Sequence, residues 1–133
     1  MSTVPAIRLK THWFKPGAPK TPEQQAGAMG FTIWRVGLQT LKRMRGADFD
    51  IDAGEPYFAF MREVLVFLIQ VVDRMAFDRM PVAERTEFTT ALVRRVAEIL
   101  EDSEDDLLGL PAAGVESHRA QFIELFNALS DDY

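Results

Sequence analysis

The sequence predicts an all-α fold, a helical bundle of four main helices with a largely buried second helix and an extended N-terminal arm. Three observations carry that expectation. Apolar residues recur at three- and four-residue spacing through four separate segments. Proline, glycine and capping residues punctuate those segments. Finally, 133 residues with 47% hydrophobic and 26% charged side chains suffice for one ordinary core without cross-links.

Residues 1–20 carry Pro5, Pro16, Gly17 and Pro19, which rule out a continuous helix. Ile7, Leu9, Thr11 and Trp13 alternate with Arg8, Lys10 and His12, a period of two that suits an extended basic arm. Trp13 and Phe14 are costly to leave in water, so the arm is expected to dock on its own domain or on a neighbour's. The rest, residues 21–133, reads as a single domain.

The first helix is expected over about residues 22–45, since Thr21, Pro22 and Gln24 form a T-P-x-Q start and Gly46 follows Lys42, Arg43 and Arg45. Ala26, Gly30, Ile33, Trp34, Gly37 and Leu41 share its apolar face. Glycine inside a helix is about 1 kcal/mol less favourable than alanine, so Gly30 and Gly37 imply close approach of another helix. The second helix, about 56–78, is apolar nearly all round, with Arg62, Glu63, Gln70, Asp73 and Arg74 as a narrow polar stripe; such a helix is expected to be central. The third, about 81–102, starts at Pro81 and carries the stripe Phe88, Leu92, Val96 and Ile99, with Arg85 on the same side. The fourth, about 116–131, aligns Val115, Phe122, Phe126 and Leu129, with Leu125 alongside and His118 expected to pack beside Phe122.

Charge is divided unevenly. Residues 1–45 hold eight Lys/Arg and one acid, a balance of +7; residues 46–133 hold seven Lys/Arg and nineteen acids, a balance of −12. Such a split points to internal pairing or to a charged face offered to a partner. The acidic run 101–106 reads as a solvated surface, or as a docking patch for a basic partner such as a sister chain's arm.

Chemistry finds little purchase. The absence of cysteine excludes disulfides, thiolate metal sites and cysteine nucleophiles. Asp48, Asp50 and Asp52 resemble a calcium loop, but Ala53 and Ala59 stand where it needs glycine and a bidentate acid. No di-iron, zinc-protease, serine-hydrolase or phosphate-loop motif is present, so no catalytic residue, metal site or cofactor is expected. The first thirty residues lack the apolar core of a secretory signal, and the longest apolar stretch, Val64 to Ile69, is too short to span a bilayer. A cytoplasmic protein without a membrane partner is expected.

The expected function is a non-enzymatic helical interaction or assembly protein that forms a homo-oligomer, a dimer, through Gly30, Trp34 and Gly37 or through Trp13 and Phe14 of the arm. One alternative is a nucleic-acid-binding regulator using Arg35, Lys42, Arg43, Arg45 and the arm, a reading that the acidic net charge disfavours. Another is a small-molecule binder in the bundle core, at a polar site formed by Arg62, Glu63, Gln70, Asp73 and Arg74.

Overall fold

The computed structural model describes residues 21–46 and 54–131. The arm, with Trp13 and Phe14, and the aspartates 48, 50 and 52 lie outside the described residues.

The order is α1 (Pro22–Gly46), α2 (Glu55–Phe77), α3 (Val82–Leu108) and α4 (His118–Ser130). Each start has a local cause. At α1 the capping box closes in both directions: the Gln24 N–H donates to Thr21 Oγ1 at 3.1 Å, and the Thr21 N–H donates to Gln24 Oε1 at 3.0 Å. Pro56 occupies the first turn of α2, where a missing N–H costs nothing. Ser117 caps α4 by accepting the Ala120 N–H at 3.2 Å.

Helix α3 runs six residues beyond its expected end and takes in the whole acidic run 101–106. Acids disfavour a helix C-terminus when left alone. Here several of them meet cationic partners, and the helix stops only at Gly109, whose φ of 84° favours glycine and whose N–H closes on Asp105 O at 3.1 Å.

The packing buries the second helix against every other helix on its inward side and leaves its outward side open. Among the described residues α2 and α3 each touch all three other helices, and α1 does not meet α4. The layout is therefore a row α1–α3–α4 with α3 in its middle and α2 laid across one side. Phe58, Met61, Leu65, Val66 and Ile69 of α2 are at most 2% exposed and share the core with Ala26, Leu41, Leu92, Val96, Leu100 and Phe122. Its outward side is open: Phe60 is 37% exposed, Phe67 50%, Val71 37% and Met75 58%. Three neighbours cannot cover a cylinder when all of them lie on one side of it.

The two glycines of the α1 apolar face are used inside the chain. A Cβ on Gly30 would stand 2.8 Å from Arg95 Cγ, and one on Gly37 would stand 3.2 Å from both Leu65 Cδ2 and Met61 Sδ. What approaches is side chains, from α3 and α2 respectively. Gly27, in the same helix, has open space around it.

That contrast sets a test. Gly27→Ala should raise the unfolding free energy by about 0.5–1 kcal/mol through helix propensity. Gly37→Ala gains the same propensity but overpacks two fully buried side chains, at a cost of about 1–3 kcal/mol, so it should come out destabilising. Urea unfolding followed by circular dichroism reads both, and equal stabilisation by the two variants would refute the packing.

Candidate functional site: the clasps and outer crest of α2

The polar stripe of α2 does not form one site. Glu63 and Asp73 are ten residues apart, about 15 Å along the helix and about 80° around it. Glu63 is exposed and has no hydrogen bond or ion pair among the described residues, whereas Asp73 is half-buried against α3. A shared acid–base pair is excluded by this geometry. The stripe instead supplies three ties that fasten α2 to its neighbours.

The first tie is a buried ion pair. Glu104 of α3 is fully buried, and its Oε2 accepts from Arg62 Nη2. A second amino group of Arg62 donates to Glu55 Oε1 at 2.9 Å. Burial works against the charge on Arg62, but the bonds to Glu104 and Glu55 outweigh it and hold the guanidinium pKa above its ordinary value. The other Glu104 oxygen, Oε1, is buried with no hydrogen-bond partner.

The second tie is bidentate. Arg85 donates from Nε to Asp73 Oδ1 at 3.0 Å and from Nη2 to Oδ2 at 2.8 Å, while Thr89 Oγ1 donates to Oδ1 at 2.8 Å. Burial opposes ionisation of Asp73, yet the Arg85 and Thr89 bonds prevail, with help from the charge of Arg74, and hold its carboxyl below the ordinary value of 3.8. The Arg85 guanidinium also sits 4.7 Å from the Phe77 ring centre. The third tie joins α4: Gln70 Nε2 donates to Ser130 Oγ at 2.7 Å, and Ser130 Oγ donates in turn to Phe126 O at 2.6 Å. Arg74 is exposed.

The acidic run serves a similar purpose. Glu101 Oε2 accepts the Arg119 N–H at 3.2 Å in the first turn of α4, where helix N–H groups lack partners of their own. The Arg119 side chain lies 3.5 Å from Glu101 and 3.8 Å from Glu98. Asp105 Oδ1 stands 2.8 Å from Nδ1 of His118, which is 9% exposed and therefore packed, as its place beside Phe122 suggested. Within residues 101–106 only Asp102 and Asp106 are exposed. Much of the supposed docking patch is anchorage for α4.

The remaining expected residues fall as follows. Gly30, Gly37 and Trp34 are buried in the chain's own interior, so the α1 face expected to join two chains is occupied by α2 and α3. Arg35, Lys42 and Arg43 are exposed and line an open depression of about 610 Å³ on α1, together with Thr32, Val36 and Gln39. Arg45 lies in the last turn of α1, with its side chain outside the described residues. A second depression, of about 540 Å³ between α1 and α3, mixes Glu23, Glu87 and Glu98 with Arg94 and Arg95. Neither touches Arg62, Glu63, Gln70, Asp73 or Arg74. Among the described residues no group of three His, Asp or Glu could hold a metal ion, and no helix is long and apolar enough to cross a membrane.

Two features of the site were not singled out beforehand: Glu104 as a core residue and the outward crest of α2. A signal for the first existed, because Phe88, Leu92, Val96, Leu100 and Glu104 repeat at intervals of four along α3.

The Asp73 tie predicts a pH dependence. A carboxyl whose folded pKa lies below its unfolded one stabilises the fold fully above the unfolded value, near 3.8, and loses that contribution as pH falls through the folded value. Asp73→Asn should cost about 1–3 kcal/mol at neutral pH and flatten the loss of stability below about pH 4. Chemical denaturation of both proteins from pH 7 to pH 2.5 checks this, and an unchanged acid slope in the variant would refute it.

Comparison with protein-family models, with curated proteins and with solved structures finds no match.

Proposed function

We propose that this chain is a non-enzymatic helical assembly protein that self-associates as a dimer through the outward crest of α2. The observation that carries the reading is the crest itself. Phe60, Val64, Phe67 and Val71 follow one another at spacings of four, three and four, and Met75 stands one turn further on. That is the period of a seam where two helices interlock side chains. The same helix has its opposite face fully buried, whereas Phe60, Val71 and Met75 are exposed and Val64 packs only partly against the core. Contiguous exposed apolar surface of this kind marks interaction sites far more often than scattered single residues do.

Charge fits as well. The crest is apolar along its midline, with Glu63 and Arg74 to one side, matching the general pattern of a desolvated strip rimmed by polar groups. The half-buried ionisable groups of the α2 stripe, Arg62 and Asp73, are engaged in ties to α3.

Sedimentation velocity over a concentration series tests the proposal. The full chain should show a dimer whose population follows mass action, and Val71→Asp or Met75→Glu should shift it to monomer while leaving the helical circular dichroism intact. A chain that stays monomeric at high concentration, or a dimer indifferent to both substitutions, would refute it.

A further inference from the structure

We infer that the occupant of the α2 crest is the α2 crest of a second copy, laid antiparallel so that Glu63 of each chain meets Arg74 of the other. The inference rests on the crest being the assembly surface and adds its partner, direction and register.

The argument starts from where the two charges stand. Taking α2 at 100° per residue, Glu63 and Arg74 are eleven residues apart and differ by only about 20° around the axis, so they lie along one edge of the crest. Both are exposed. Among the described residues Glu63 has no hydrogen-bond or ion-pair partner, and Arg74 acts as a charge near Asp73. One edge thus carries an acid near one end and a base near the other.

A closed dimer built from one helix face is isologous, each chain offering the same patch to the other. For two antiparallel helices related by a twofold axis, the edge that flanks the seam on one chain faces the same edge of its partner. Residues then sit level when their numbers add to a constant. The apolar crest, from Phe60 to Met75, centres between residues 67 and 68; the charges, Glu63 and Arg74, centre between 68 and 69. The two centres differ by one residue, so in the register that centres the crest Glu63 and Arg74 stand two residues, about 3 Å of rise, from level, within the reach of an arginine side chain. That register sets Phe60 level with Met75 and Val64 level with Val71, and brings Glu63 near Arg74, each twice. A parallel pair in register would instead turn this edge of one chain toward the other edge of its partner, and would leave Glu63 and Arg74 eleven residues, about 16 Å of rise, from level with each other.

Charge exchange between chains tests the register. Glu63→Arg makes both ends of the edge basic, and Arg74→Glu makes both acidic. Sedimentation in low salt should show each variant alone with its dimer dissociation constant raised about tenfold or more, since like charges at an interface are strongly unfavourable. Mixed in equal amounts, the two variants should form a heterodimer as tight as the native dimer, because each base then meets an acid. The double variant Glu63→Arg with Arg74→Glu should also regain native affinity, and added salt should relieve the single variants. Single variants that dimerise normally, or a mixture that fails to recover, would overturn the antiparallel register. Val71→Asp, run alongside, separates the two levels: a dimer lost with Val71→Asp but insensitive to charge exchange keeps the crest and discards this register. All three positions are exposed, and thermal unfolding of each variant confirms that the monomer is folded.

Discussion

A carboxylate with no access to water has to find a cation, and in this fold that requirement sets the orientation of α2. Glu104 is fully buried on α3, where an unpaired charge would cost several kcal/mol even after relaxation, on the order of 3–5 when a partner is removed. Arg62 is the cation that meets it. Eleven residues later, three turns along the same line of the helix, Asp73 meets Arg85 of α3. Two ties on one line fix the rotation of α2 about its own axis as well as its direction against α3. Val71 lies two and a half turns from Arg62 and so must point away from the core. The outward crest is a consequence of the inward clasp.

The same logic extends to α4. An acidic run at the end of a long helix opposes that helix's own dipole. Its members are met by Arg62, by Arg119 with the opening N–H of α4, and by His118. Charges that would shorten α3 in isolation instead bring two other helices to its end. The division of charge along the sequence is therefore spent in part inside the molecule, within its second half, while Arg35, Lys42 and Arg43 of α1 stay exposed.

Much of the fold was legible because its signals are local. The Thr21 and Gln24 capping box, Pro56, Pro81 and the apolar stripes depend only on residues a turn or two apart, and they placed four helices. What was not legible depends on partners far away in sequence. The all-round apolar character of α2 shows that its surface wants cover, and periodicity cannot say whether that cover comes from the same chain or another. Gly30 and Gly37 were rightly singled out as points of close approach; the approaching atoms belong to Arg95, Leu65 and Met61 of the same chain. Glu63 and Asp73 looked like one polar site on a linear reading, but a rotation of about 80° puts one in solvent and the other on α3. Glu104 was masked by its acidic neighbours, although its interval of four from Leu100 continued the core stripe.

The central claim is that the Arg62–Glu104 contact orients α2, and a double-mutant cycle on that pair tests it most directly. Arg62→Met should cost about 3–5 kcal/mol of unfolding free energy, because it leaves Glu104 charged and alone. Combining Arg62→Met with Glu104→Leu should recover at least about 2 kcal/mol relative to the sum of the single losses. Strictly additive losses would mean that the two groups do not depend on each other, and the orientation of α2 would then need another cause.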